Sequence, residues 1–171
     1  MHSRIKKIRL SRRLRKLRDM KRFGRDERGV QLVELAIVLP IFLLLFAATA
    51  EFGRYFYEYT TLAKASRVGA RYLATAAVKP SEDTNAKNIV VFGNTAGTGA
   101  PILAGLATSN VTIIRSGGVP LLPETVTVQI TDFKHQPIFD LGKLTQSQTL
   151  SMNIDVKPSA TMRFLLTQPS L

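Results

Sequence analysis

Cysteine is absent from the 171-residue chain, which excludes disulfide staples, thiolate metal ligands and cysteine nucleophiles. An exported domain of this size folds without staples, so the absence is compatible with an extracytoplasmic location and does not argue for one. Histidine is nearly absent too: His2 lies in a basic N-terminal block and His135 stands alone in the rest. No second histidine or cysteine exists outside that block to complete a metal site. A Ser/His/Asp arrangement would have to rest on His135, with Asp132 and Asp140 the nearest acids, and a lone surface histidine accounts for it better. The acidic residues show no periodic pairing of the kind general acid–base work needs. The expectation is a protein that is not an enzyme, with no cofactor and no metal.

Acidic charge is scarce at the start of the chain. Residues 1–28 carry thirteen Lys or Arg against three Asp or Glu, a balance of +10 out of a total of +12. The whole-chain pI of about 10.5 therefore describes this block and not the remainder, which carries +2. A basic arm for nucleic acid is one reading of such a block. Here the block runs directly into a membrane-length apolar segment, which favours a cytoplasmic flank attracted to anionic lipid, and no nucleic-acid partner.

Charge of either sign is missing from residues 35–50. Residues 30–50 form, at roughly 1.5 Å per residue, a helix of about 31 Å, close to the hydrocarbon thickness. Pro40 lies inside and removes one helical hydrogen bond; a kink is expected there rather than a break. A buried core helix is the competing reading, disfavoured by the charged flanks. Glu34 is the exception to the apolar run, because a carboxylate in hydrocarbon is costly and becomes cheaper near the interface. In the uncut chain it is an interfacial glutamate near Arg28. If the chain is cut after Gly29, Val30 carries a new α-amino group and Glu34 becomes the fifth residue, placed to pair with its own or a neighbouring subunit's amine. In a packed helical bundle that pair would set axial register, since either charge left alone in lipid is expensive. Ala48-Thr49-Ala50 before Glu51 offers a different cut, resembling the small-x-small site of secretory signal peptidase. It would release residues 51–171.

Beyond the span, Phe52, Phe56, Tyr59, Ala63, Ala70, Leu73 and Ala77 recur at three- and four-residue intervals, predicting a continuing helix over residues 51–78. The aromatic cluster of residues 54–59 suits the membrane interface or a packed core equally. Residues 79–85 read as a turn that ends the helix, and 86–92 as a short helix or strand. The glycine-rich run 93–101 lacks the Gly-Lys-Ser/Thr ending of a phosphate loop and reads as a surface loop. Strands are predicted at 111–114, 125–130 and 150–156, the last two alternating cleanly. The connection 131–149 is long for a hairpin and is expected to cover the sheet edge or meet a partner. The fold class is α+β: a long N-terminal membrane-spanning helix continuing into a small domain with a mainly antiparallel sheet. The expected division is a basic leader (1–29), a span with helical extension (30–78) and an extracytoplasmic sheet-containing domain (79–171).

At the Gly29–Glu34 junction the chain resembles prepilin-type proteins, and the wider pattern resembles the TadE-like pseudopilins of tight-adherence (Flp-type) pilus systems. The resemblance is carried by Arg28-Gly29-Val30-Gln31-Leu32-Val33-Glu34-Leu35-Ala36-Ile37-Val38-Leu39-Pro40, by Phe52-Gly53-Arg54 and by Ser66-Arg67-Val68-Gly69-Ala70-Arg71. It continues weakly through residues 126–130, Phe133 and 159–163. The chain departs from the pattern at Leu35, where many prepilins carry an aromatic residue, and residues 80–120 are not diagnostic. The resemblance implies cleavage after Gly29 by a prepilin peptidase, with Glu34 needed for processing or assembly. It also implies a possible packing face at Phe52, Gly53, Arg54, Arg67, Gly69 and Arg71. The implied partners are a second pseudopilin, the major pilin, the inner-membrane assembly platform and membrane lipid. The expected role is a minor pseudopilin or membrane assembly factor in the bacterial inner membrane, its N-terminus cytoplasmic and its C-terminal domain periplasmic or carried into the pilus. The alternative is a signal-anchored or secreted binding module with no pilus role.

Overall fold

The computed structural model describes residues 27–140, 142, 143, 146, 147, 149 and 151–167. The basic leader expected over 1–29 lies outside this range, apart from its last residues. Two compact units are present, Met1–Ala47 and Ala48–Leu171. One helix, α1 (Glu27–Thr75), supplies the described residues of the first and opens the second.

In the first unit the helix is apolar on every side beyond Glu34, and its large apolar side chains, from Val30 to Phe46, are exposed. Among the described residues this is the one helix long and apolar enough to cross a membrane. It continues through Pro40 without a break.

The second unit is an α+β domain. Helix α1 ends at Thr75, three residues before the expected stop, and α2 runs from Pro80 to Phe92. Residues 79–85, expected as a turn, are mostly the first turns of α2. Pro80 sits at its start, where a missing N–H costs nothing, and Glu82 and Asp83 complement the positive end of the helix dipole. A 3₁₀ turn at Thr108–Asn110 then leads into a three-stranded antiparallel sheet, β1 (Val111–Ser116), β2 (Thr125–Ile130) and β3 (Ser159–Arg163), with β2 central. Register is set by Ile113 opposite Val128 and by Val128 opposite Ala160. Val126, Val128 and Ile130 all point into the core, as the period-two pattern predicts. They meet Leu62, Ala70 and Leu73 of α1 and Ala86, Val90 and Val91 of α2 in one cluster.

The third strand is not where alternation placed it. Residues 151–158 are irregular, with a single bridge between Asp155 and Lys134; Leu150 lies outside the described residues. The N–H of Ile154 bonds the carbonyl of Met152 at 2.9 Å, a tight turn that pushes Ile154 out to 45% exposure while Met152 and Val156 stay buried. Pro158, which has no N–H to give a ladder, precedes β3 and instead accepts from Ile130 at 3.0 Å.

The ends of the domain are set by its hydrogen bonds. Leu165 N–H donates to Ala74 at the far end of α1, and Phe164 N–H to Glu124 at the β1–β2 hairpin. Strand β2 therefore runs antiparallel to α1 and delivers the chain beyond Ile130 towards the Glu51 end. In that hairpin Gly118 has φ 64°, and a Cβ on it would lie 2.2 Å from the carbonyl oxygen of Leu122, so no other residue fits the turn.

Candidate functional site

Gly29, Val30 and Glu34 lie in the opening turns of α1, Val30 and Glu34 both exposed and one turn apart. That i,i+4 spacing puts them on one face. Around Pro40 the helix presents only exposed apolar side chains, a surface that needs lipid or another helix to cover it.

From Glu51 onward the same helix carries a buried charged cluster. Glu51, which directly follows the uncharged segment, is almost fully buried, and so is His135. The imidazole Nδ1 lies 2.7 Å from Glu58 Oε2, and Nε2 lies 3.3 Å from Glu51 Oε2. An ionised carboxylate only accepts, so a ring with one proton serves one of these contacts and a ring with two serves both. Arg54 completes the group, 3.3 Å from Glu51, 3.7 Å from Glu58 and donating to the Gln136 carbonyl at 3.4 Å. The other oxygen of Glu51 accepts the backbone N–H groups of Ile138 and Phe139, each at 2.9 Å. Burial pushes the Glu51 carboxyl up, but the Phe139, His135 and Ile138 hydrogen bonds and the Arg54 charge outweigh it and hold it below the usual range. Tyr55 packs edge-on against the His135 ring, centroids 5.8 Å apart. His135 is therefore not a lone surface histidine. It is the buried pin that ties residues 133–139 of the long connection to α1.

The six residues of the expected packing face separate. Phe52, Gly53, Arg67 and Arg71 are exposed, while Arg54 is engaged in the cluster. Gly69 faces inward: a Cβ there would lie 2.6 Å from Val90 Cγ2 and 3.7 Å from Val128 Cγ1, so the glycine lets α1 approach α2 and the sheet. Ser66, one turn earlier, is buried at the same face. Two further polar ties hold α2: Tyr72 with Glu82, and Arg115 of β1 with Asp83. The Tyr72 hydroxyl is raised above its ordinary value, first by donating to the Glu82 carboxylate and then by burial.

Sequence reasoning missed Glu51, Glu58 and the true setting of His135. The available signal was Glu51-x-x-Arg54-x-x-x-Glu58, charges at i, i+3 and i+7 on one helical face where the apolar segment ends. Beside the cluster an open cleft of about 570 Å³ is lined by Ala50, Gly53, Tyr57, Leu103, Phe133 and Lys134, among others.

Residues 29–71 match a family model described as TadE-like protein. The matched segment includes the junction and the helical half of the cluster and ends before His135. No curated protein and no solved structure matches the chain.

Proposed function

We propose that the protein is a minor pseudopilin, or a membrane assembly factor, of a tight-adherence type IV pilus. It is cut after Gly29 by prepilin peptidase, and it acts by helix packing and partner binding rather than by catalysis. The observation that carries this reading is the family match across residues 29–71, lying on a helix that is exposed and apolar before residue 48 and core-forming after it. The α-amine created at Val30 would lie one helical turn from Glu34, at the helix end where a carboxylate is favoured. Its partners in this reading are a second pseudopilin, the major pilin, the assembly platform and lipid. The chain sits in the inner membrane with the domain on the periplasmic side.

Cleavage after Ala50 fits less well. It would place a new terminus on Glu51, the buried residue that holds Ile138 and Phe139. The test is the N-terminus and intact mass of the membrane-extracted protein from cells with and without the peptidase. A 142-residue product starting at Val30, made only with the peptidase, is expected. A soluble 121-residue product starting at Glu51 would overturn the proposal in favour of a secreted binding module.

A further inference from the structure

The segment after β2 is laid along α1 in one direction. His135 meets Glu58 through one ring nitrogen and Glu51 through the other, Gln136 takes Arg54, and Ile138 and Phe139 give their N–H groups to Glu51. As the segment advances, its helical partners step back from residue 58 to residue 51, about 10 Å along the axis at roughly 1.5 Å per residue. Glu51 directly follows Ala50, the last residue of the uncharged segment. The turn at Ile138 and Phe139 thus ends level with the point at which the chain leaves its apolar stretch.

At that level Ile138 is 81% exposed and Phe139 is 37% exposed. A scattered surface isoleucine carries no message on its own. What distinguishes this one is that a buried carboxylate fixes the turn and occupies both of its backbone N–H groups. A turn whose donors are already bonded enters a water-poor environment without the cost of open N–H groups. Two residues before the turn, Gln136 lines the cleft that has Ala50, Gly53 and Leu103 on its walls and the exposed cation of Lys134 at its edge, a complement to phospholipid phosphate.

The geometry points to a second membrane contact: Ile138, with Phe139 behind it, enters the boundary between headgroups and acyl chains of the leaflet from which α1 emerges. The domain is then held by two points, a spanning helix and a loop foot, with the Glu51 carboxylate joining them. This rests on the reading of residues 30–50 as a membrane span.

Because the chain has no cysteine, single-cysteine labelling tests it directly. The full chain is reconstituted in vesicles of zwitterionic and anionic phospholipid as Ile138→Cys, Phe46→Cys and Leu121→Cys, each carrying an environment-sensitive fluorophore. Leu121, 55% exposed on the β1–β2 hairpin at the Ala74 end, is the aqueous reference. The label at 46 should be quenched by nitroxide deep in the acyl chain, and that at 138 by nitroxide near the headgroups. Iodide in the buffer should quench 138 several-fold less than 121. Quenching at 46 with 138 behaving like 121 would overturn the loop contact and leave the span intact. Shielding of 138 from iodide without lipid quenching would overturn it too, since protein then covers the site. Failure of lipid quenching at 46 would remove the span reading itself, and the loop contact with it.

Discussion

Residues 30–47 and 48–75 lie on one helix and differ in what surrounds their side chains. The first stretch, beyond Glu34, is apolar all round and exposes its large residues. The second turns a stripe inward, Glu51, Leu62, Ser66, Gly69, Ala70, Leu73 and Ala74 buried with Tyr55 and Glu58 half-buried between them, and leaves Phe52, Phe56, Arg67, Val68 and Arg71 exposed. A helix apolar on every side needs an apolar medium, whereas a striped one needs a single packing partner, here α2 and the sheet. The stripe also shows that polarity and position separate at the end that adjoins the apolar stretch. Its first two turns are led by carboxylates, while the neighbouring Phe52 and Phe56 stay outside.

The largest way to break this contrast is to remove the pin. His135→Ala leaves the buried Glu51 and the half-buried Glu58 with one hydrogen-bond partner fewer, and losing a hydrogen bond to a charged group costs about 1.5–3 kcal/mol. Urea denaturation of the detergent-solubilised chain, followed by near-ultraviolet dichroism of tyrosines such as Tyr55, measures it. A loss below about 1 kcal/mol would class these contacts with exposed ion pairs and leave the segment held by Phe133.

A smaller effect is expected from filling the crossing with α2. Gly69→Val places a branched side chain where even a Cβ lies 2.6 Å from Val90 Cγ2, and such overpacking costs about 1–3 kcal/mol. Adding Val90→Ala should recover part of the loss if close approach is the cause. No recovery would assign the loss to the helix backbone, and the buried stripe would be less tightly packed than the distances indicate.

These two residues also mark what was legible in advance. The long apolar helix, the α+β class and strand β2 followed from charge-free length and clean alternation. Strand β3 did not, because Met152, Ile154 and Val156 alternate in sequence while a turn at Ile154 breaks the alternation in space. The start of α2 was hidden because Pro80 signals an ending and a beginning alike. The cluster was hidden for a deeper reason: hydrophobic periodicity finds the buried face by its apolar residues, and here Glu51 and Glu58 occupy that face. Their burial depends on His135, 84 and 77 positions away, and no local pattern carries that pairing.

The smallest change sharpens the comparison at the opposite extreme. Gly53 lies on the same helix as Gly69, yet a Cβ there meets nothing within 4 Å. Glycine inside a helix costs roughly 0.5–1 kcal/mol relative to alanine, so Gly53→Ala should stabilise the domain by about that amount. The same urea titration reads the gain, and, on the proposed function, terminal sequencing should find the cut after Gly29 unchanged. The domain itself gives no reason for glycine at this position, which borders the cleft beside the charged cluster. If the variant is more stable and correctly processed yet makes fewer pili, the extra methyl must obstruct something outside the chain. The open side of α1 would then be a surface used by a partner, and the two glycines would differ in which molecule approaches them.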